Sequence, residues 1–297
     1  MPQPFNTKKF RRISLLPSDV DCIVFWTRNP WPLLANIPEI ETRGYGFYVH
    51  VTLTGYPRAI EPRVPDIDVA LDAMQALSEK IGPERIVWRY DPVFLAKGTT
   101  NGAGFYIDES WHKENFGCLA SRIGSDATGR GGLVRQVTIS LLDEYRNTRS
   151  RLYRAGFPEV TFGTSRGTAS RTTRATCGTA FGTTGANAPP ASYVNLLSEL
   201  ARIARAHKFA MKSCAEPWDL SAIGIEHGAC IDGELISHIV AEKAEQVRPA
   251  NALHESTQPL VLANDKGQRP FCRCVQSVDI GTYGACPTGC VYCYARQ

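Results

Sequence analysis

Three cysteines near the end of the chain have the residue type and spacing best suited to chemistry. Cys286, Cys290 and Cys293 follow a C-x3-C-x2-C spacing in a short glycine-containing loop. Such a loop can turn its thiolates toward one centre, and Cys thiolates are the usual ligands of iron–sulfur clusters, in which three protein ligands leave one iron open to a small molecule. The same loop, together with Cys272 and Cys274, also suits a tetrahedral structural zinc site.

The context of the loop favours an iron–sulfur cluster over zinc. Zinc ligands usually come as two close pairs of cysteines, whereas here a run of three follows a predicted strand and Tyr292 precedes the last cysteine. This motif resembles the signature of the radical S-adenosylmethionine superfamily. The resemblance implies a 4Fe-4S cluster whose open iron chelates the amino and carboxylate groups of S-adenosylmethionine, with Tyr292 along the adenine ring.

Composition limits the class of protein. The chain has 297 residues, 43% of them hydrophobic, and a net charge of +4; this suits a large globular domain and does not indicate a nucleic-acid partner. The sequence shows neither the apolar run of a signal peptide nor that of a membrane span, so we expect a cytoplasmic protein with no membrane partner. In such a compartment the ten cysteines indicate metal or cluster ligation rather than disulfides.

Short apolar runs alternate with helical patterns along the chain. The predicted strands cover residues 22–27, 47–53, 85–89, 134–141, 209–213 and 275–280. The predicted helices cover residues 32–42, 67–81, 109–123, 142–154 and 192–206. This alternation is typical of an α/β barrel with parallel strands. We therefore predict one (β/α) barrel-like domain, similar to a TIM barrel, of about six parallel strands over residues 13–160 and 191–297.

Residues 161–190 interrupt this pattern. They consist mainly of Thr, Gly, Ala, Ser and Arg, with almost no aliphatic residues. Such a segment cannot bury enough apolar surface to offset the entropy of ordering it. We predict a disordered insertion there.

Polar residues follow five of the predicted strands. In a β/α barrel the active site forms at the carboxyl ends of the strands, so these residues are candidates for a catalytic rim. We expect a carboxylate to bind the methionine ammonium and an arginine to bind its carboxylate. The cofactor-binding candidates are Arg28, Asn29, Thr52 and Thr54, and the catalytic candidates are Arg89, Asp91 and Glu216.

Several phrases of the sequence resemble the bacterial domain-of-unknown-function family 1848. They lie at residues 21–30, 88–92, 111–116, 213–216, 228–233 and 272–295, so the resemblance covers nearly the whole chain. It implies an iron–sulfur protein of the radical S-adenosylmethionine type, without an assigned substrate. In most enzymes of that type the cluster loop follows the first barrel strand, whereas here it follows the last predicted one. Because a closed barrel has no intrinsic first strand, we predict a circularly permuted barrel with its cluster loop at the C-terminus.

The resemblance implies an enzyme rather than a binding protein. Its reduced cluster would cleave S-adenosylmethionine to a deoxyadenosyl radical that abstracts hydrogen from a small-molecule substrate, with ferredoxin or flavodoxin as electron donor. One alternative is a metal-dependent hydrolase on the same barrel. Its ligands would be His50, Asp91, His112, Asp143 and Glu216. A second alternative is a non-catalytic electron-transfer or zinc-stabilised binding protein.

Four further cysteines lie outside the loop. Cys214, Cys230, Cys272 and Cys274 match in number the ligands of an auxiliary cluster or a structural zinc ion. Cys274 is also a candidate fourth ligand of the first cluster. Alternatively, Cys214 and Cys230 are small buried apolar residues, a common role of free cysteine.

Overall fold

The structure is a computed structural model that describes residues 2–3, 6–10, 12–100, 103–124, 131–145, 147–163, 189, 191–246, 260–268, 271–281 and 284–295. Its strands are β1 (Pro2–Gln3), β2 (Asn6–Phe10), β3 (Ile23–Thr27), β4 (Phe47–Thr52), β5 (Ile86–Val93), β6 (Leu95–Thr100), β7 (Ala103–Ile107), β8 (Gln136–Leu141), β9 (Glu159–Thr161), β10 (Ala210–Cys214) and β11 (Glu226–Gly228). Its α-helices are α1 (Trp31–Leu34), α2 (Ile37–Thr42), α3 (Ile67–Ile81), α4 (Glu109–Ile123), α5 (Thr148–Arg154), α6 (Ala191–Ala206) and α7 (Gly233–Gln246). Short 3-10 helices cover Pro17–Asp19, Pro83–Arg85 and Ser221–Ile223.

Six strands form a parallel sheet in the order β11-β10-β8-β5-β4-β3. Parallel neighbours need a crossover between them; α3 lies between β4 and β5, α4 between β5 and β8, and α6 between β8 and β10. The inner strand β4 reads FYVHVT and is buried along nearly its whole length, as expected for a strand that is covered on both faces. The prediction of an α/β domain with about six parallel strands is confirmed.

The helices α3, α4 and α6 cover one face of this sheet. Leu77, Phe116 and Leu200, one from each helix, are fully buried in the same core as Trp88 of β5, and the rings of Trp88 and Phe116 stack 4.8 Å apart. Burial of each side chain of this size contributes about 1.5–3 kcal/mol. This core holds the strands in register, and so fixes where their carboxyl ends lie.

The other face of the sheet is divided into an apolar half and a polar half. Near the starts of the strands, Ile236 and Ile239 of α7 pack against Tyr48, Val87 and Val275. Because strand residues alternate between the two faces, every second residue of a strand lies on this face. Toward the carboxyl ends these residues are polar. We call this half the polar face; its residues are Thr52, Arg89, Asp91 and Ser140.

A second, smaller sheet lies beside the main one. Strand β6 pairs with β7 and with β9, both antiparallel. Phe94, Ile107 and Phe157 form a separate core here, which also includes Val291 and Tyr292 from the end of the chain. β1 and β2 form an antiparallel pair.

The predicted barrel is not seen. Within the described residues, the main sheet is open, with β3 and β11 as its outer strands. A barrel requires these two edges to pair with each other. Strand alternation in a sequence predicts parallel neighbours but does not report whether the last strand meets the first.

Three predicted elements differ from those observed. The helix predicted over residues 32–42 is divided into two short helices, α1 and α2. Residues 275–280 are not a strand; Val275 forms an isolated bridge with Asn264, and the sixth strand is instead β11, whose residues EHG lack an apolar run. The predicted helix 142–154 begins only at Thr148, because Asn147 adopts a left-handed conformation with φ 69°. The cysteine loop thus follows an irregular segment rather than a strand.

Most of the predicted insertion lies outside the described residues, at 164–188 and 190. At its start, Thr161 pairs with Leu95 in the small sheet and Phe162 is buried. In the part of the chain that the structure describes, no helix has the length and apolar character needed to cross a membrane.

Candidate functional site

The carboxyl ends of the parallel strands bring several predicted site residues to one edge. Arg28 follows β3, Thr54 follows β4, Asp91 lies near the end of β5, and Glu216 follows β10. Because all six strands run in the same direction, residues after each strand meet at the same edge of the sheet. These residues therefore lie along one edge of an open sheet rather than around the rim of a barrel.

Arg28, Thr54, Glu61 and Tyr292 form a buried polar cluster at this edge. The Arg28 guanidinium lies 2.9 Å from the Glu61 carboxylate and donates a hydrogen bond to the Thr54 hydroxyl over 3.3 Å. The Thr54 hydroxyl in turn donates to Glu61 over 2.6 Å. The Tyr292 hydroxyl contacts both the Arg28 guanidinium and the Glu61 carboxylate. Tyr292 thereby joins the cysteine loop to the ends of β3 and β4.

Burial and charge act in opposite directions within this cluster. Burial lowers the pKa of Arg28, but the neighbouring Tyr292 and Glu61 raise it more, so its pKa is above the ordinary value and it stays charged. Burial raises the pKa of Tyr292 well above its ordinary value, which keeps this phenol neutral. The cluster is therefore a fixed ion pair bridged by a neutral hydroxyl.

Backbone hydrogen bonds also hold the cysteine loop. The amide of Val291 donates to the carbonyl of Ile60 over 3.0 Å, and the amide of Arg63 donates to the carbonyl of Thr288 over 3.2 Å. On the other side, the Arg151 guanidinium donates to the carbonyl of Cys293 over 2.7 Å. The loop is therefore anchored by residues 60–63 and by α5.

Two of the three loop thiols meet at one hydroxyl. The Sγ atoms of Cys286 and Cys290 lie 3.0 Å and 3.5 Å from Oγ1 of Thr288. Cys286 is exposed, Cys290 is buried and Cys293 is half-buried. Burial raises the pKa of Cys290, and the Arg28 charge opposes that rise. The three thiols are therefore open to solvent at Cys286 and held by packing at Cys290, so a ligand can reach them from one side.

The polar face carries a second ion pair. The Arg89 guanidinium contacts the Asp91 carboxylate, whose other oxygen accepts from the Ser140 hydroxyl. Burial lowers the pKa of Arg89, but the Asp91 charge and nearby thiols raise it above the ordinary value. Nε of Arg89 is buried without a hydrogen-bond partner among the described residues. The polar face therefore has a fixed guanidinium cation, that of Arg89, whose Nε–H group makes no hydrogen bond within the described residues.

The other rim candidates make the following contacts. The amide of Asn29 donates to the Thr27 hydroxyl over 3.0 Å, and its side-chain oxygen accepts from the Trp31 amide, so Asn29 shapes the turn before α1. Thr52 is half-buried on the polar face opposite Arg89. Glu216 is buried and accepts from the Leu141 amide over 2.7 Å.

The two histidines among the five ligands predicted for a hydrolase make separate buried contacts. His50 is bound to the carbonyl of Cys230, and His112 lies between the Tyr90 hydroxyl and the carbonyl of Phe94. Burial lowers the pKa of His50 to about 3 and that of His112 to about 4. In the described residues, no three His, Cys, Asp or Glu side chains already surround a point that could hold a metal ion.

The four cysteines outside the loop lie together. The Sγ atoms of Cys214 and Cys230 are 2.9 Å apart, Cys274 contacts Cys230, and Cys272 contacts Cys274. Contact with Cys214 raises the pKa of Cys230 to about 12. Cys272 and Cys274, predicted as possible ligands beside the loop, thus belong to this second group, which we call the four-thiol group.

Glu61 is the site residue that the sequence reasoning missed. It lies in the segment after β4, seven residues beyond Thr54, and is 2% exposed. No strand or spacing rule marked it, because loop carboxylates are usually solvated. The one available signal was its position between the apolar residues Ile60 and Pro62.

Comparison with known proteins identifies the family. The family described as "Domain of unknown function (DUF1848)" matches residues 1–295, which is nearly the entire chain. The chain belongs to this family. No curated protein and no solved structure matches it.

Proposed function

We propose that the Cys286, Cys290 and Cys293 loop holds a 4Fe-4S cluster, and that the protein is a radical S-adenosylmethionine enzyme acting on a small molecule at the polar face. The observation that carries this proposal is the contact of Tyr292 with Arg28 and Glu61. It brings a thiol-rich loop to the carboxyl edge of a parallel sheet, which is where α/β proteins bind their ligands.

The residues of the loop fit such a cluster. Three thiols lie on one short loop, two of them converge on Thr288, and Cys286 is open to solvent. Three thiolates for a four-iron cluster leave one iron free. The chemistry that the cluster supplies when bound is one-electron cleavage of S-adenosylmethionine, fed by a donor such as ferredoxin or flavodoxin.

The chain's own residues would position and shield that chemistry. Tyr292 is buried, so we assign it the role of anchoring the loop rather than contacting adenine. Trp26 is 46% exposed and stacks on His50, so it offers a free ring face beside the polar face for a planar base. The buried Nε of Arg89 offers a donor to a carboxylate. The polar face lies on the side of the sheet opposite α3, α4 and α6, and it would correspond to the interior of a partial, permuted barrel.

Iron content tests the cluster assignment. After anaerobic reconstitution, the parent should bind about four iron atoms per chain, and the variant with Cys286→Ala, Cys290→Ala and Cys293→Ala should lose nearly all of them. Cys118→Ala, which removes an exposed cysteine of α4, is the matched control and should keep the parent's iron. Equal iron in the triple variant and the parent would reject the assignment.

A spectroscopic experiment tests the reaction. S-adenosylmethionine should change the electron paramagnetic resonance spectrum of the reduced protein, and dithionite should then release 5′-deoxyadenosine slowly without substrate. Asp91→Asn and Glu216→Gln should reduce this release while leaving iron content unchanged, if both act on bound ligand. An unchanged spectrum with no deoxyadenosine in an iron-replete protein would leave an electron carrier instead.

Tyr292→Phe tests the positioning role. It removes only the hydroxyl that joins the loop to Arg28 and Glu61, so iron should still bind while the spectral response to S-adenosylmethionine weakens. Tyr294→Phe, at a side chain that is 58% exposed, should leave that response at the parent's level. Equal responses in the two variants would contradict a positioning role for Tyr292.

A further inference from the structure

We propose that Cys214, Cys230, Cys272 and Cys274 form a second metal site, separate from the three-cysteine loop, which binds one zinc ion through four thiolates. This site would be structural: it would fasten the C-terminal segment to the end of the parallel sheet.

The geometry of the four-thiol group carries the proposal. Cys214 and Cys230 are in sulfur–sulfur contact at 2.9 Å, Cys230 contacts Cys274, and Cys274 contacts Cys272. The members come from three places in the chain: the end of β10, the segment after β11, and the C-terminal segment. Four thiols from three distant elements meet here although nothing in local sequence requires it.

The four sulfurs do not yet surround a single point, but their spacing is closer to that around one ion than to that around a multi-iron cluster. With zinc–sulfur bonds of about 2.3 Å, tetrahedral geometry places the sulfurs about 3.8 Å apart. The contact of 2.9 Å between Cys214 and Cys230 would open by roughly 1 Å on ligation, a change that side-chain rotation can supply. A four-iron cube would require the sulfurs to separate much further.

The surroundings are arranged as around a bound thiolate. The amide of Ile231 donates to Sγ of Cys274 over 3.3 Å, and the amide of Cys274 lies 3.5 Å from Sγ of Cys272. The positively charged Arg89 guanidinium lies near Cys214 and Cys230. A nearby cation stabilises bound thiolates electrostatically.

Zinc binding would exchange thiol protons for the metal ion. Four thiols release four protons to solvent and coordinate one Zn²⁺, which gives a centre of net charge −2. Arg89 offsets part of that charge. No electron is transferred, and the oxidation states of sulfur and zinc do not change.

The site would act on the segment that leads to the cysteine loop. The amide of Val275 donates to the carbonyl of Ile231, and the amide of Asp265 donates to the carbonyl of Cys274. The first of these bonds joins the C-terminal segment to the residues after β11, and the second joins two parts of the C-terminal segment to each other. A metal ion here would cross-link β10 to the same segment, and so would constrain the chain before residue 284.

Metal analysis of the full chain tests this site independently of the loop. In the variant with Cys286→Ala, Cys290→Ala and Cys293→Ala, purified from zinc-supplemented cells, we expect about one zinc per chain and no iron. Adding Cys214→Ser or Cys274→Ser to this variant should reduce zinc at least tenfold, whereas adding Cys118→Ser should not. Cobalt substitution should give intense sulfur-to-cobalt charge-transfer bands that Cys214→Ser removes.

A measurement without new substitutions covers the case in which those variants do not fold. In the loop variant, the four thiols should resist alkylation as purified and become alkylated after a zinc chelator is added, as read by mass spectrometry of their peptides. Zinc below a tenth of an equivalent, iron with sulfide at this group, or a Cys214–Cys230 disulfide would each overturn the proposal. Loss of loop iron with retention of this zinc would show that the two sites are separate.

Discussion

The two groups of cysteines in this protein are assembled in opposite ways. The loop thiols Cys286, Cys290 and Cys293 lie within eight residues of each other, and what the fold adds is their attachment to the sheet through Tyr292. The four-thiol group has sulfurs in contact, yet its members are up to 60 residues apart along the chain. In the first group the local sequence sets the spacing of the thiols, and the tertiary fold sets only their position against the sheet. In the second group the tertiary fold sets both the spacing and the position.

The two groups of cysteines therefore depend on different contacts. The loop depends on a few buried polar contacts, namely the ion pair of Arg28 with Glu61 and the hydroxyl of Tyr292. The four-thiol group depends on the packing of β10, β11 and the C-terminal segment against the sheet. A change at the ion pair should therefore disturb the loop and leave the four-thiol group intact.

The largest effect is expected for Glu61→Ala. The side chains of Arg28 and Glu61 are only 13% and 3% exposed, so removing the carboxylate leaves a buried cation without its partner and should cost about 3–5 kcal/mol of unfolding free energy. Urea unfolding measures this loss, and zinc bound to the four-thiol group in the folded protein should not change. Glu39→Ala, which breaks the exposed pair with Arg43, is the matched control; an equal loss in both variants would remove the distinction between the two regions.

The next effect is a pH dependence on the loop side. His112 touches Tyr56, whose ring packs against Tyr292, and burial lowers the pKa of His112 from 6.5 to about 4. Between these values the unfolded chain binds a proton that the folded chain does not, so stability is present above pH 6.5 and is lost as pH falls toward 4, by up to about 3 kcal/mol.

Urea midpoints from pH 7.5 to 4 measure this dependence. His112→Gln should reduce the slope between pH 6.5 and 4 without removing it, because buried His50, whose pKa is lowered to about 3, contributes to the same slope. His238→Gln, at an exposed position of α7 that is 65% exposed, should keep the slope of the parent. A parent-like slope in His112→Gln would show that another group causes the acid sensitivity.

The smallest effect is expected for Gly289→Ala within the loop. Gly289 has φ +67°, and a Cβ there would lie 2.7 Å from Nη2 of Arg63. A left-handed alanine costs about 1–2 kcal/mol, and Arg63 would also have to move. Gly131→Ala, with φ +79° and no atom within 4 Å of the new Cβ, has the strain without the contact. Hydrogen exchange should increase at residues 286–295 only in Gly289→Ala; an increase in neither variant would contradict the anchoring role of Arg63.

Local patterns predicted most of the sheet and helices. The helices α3 and α4 begin and end where the apolar periodicity indicates, and β3, β4, β5, β8 and β10 fall within or beside the predicted strands. Local strand propensity gave the wrong prediction where pairing with a neighbouring strand decides the secondary structure. Residues 275–280 have the composition of a strand but find only an isolated bridge, while β11 has no strand composition and pairs with β10.

The sequence by itself determined the alternation of strands and helices and the three-cysteine loop, because both are set by the spacing of residues along a few turns of chain. The tertiary structure alone decided that Glu61 joins Arg28 and Tyr292, that the sheet stays open, and that Cys274 meets Cys230 rather than the loop. The physical reason is that these contacts join residues far apart in the chain. Their formation depends on strand order and on how the core seats the C-terminal segment, which no local spacing encodes.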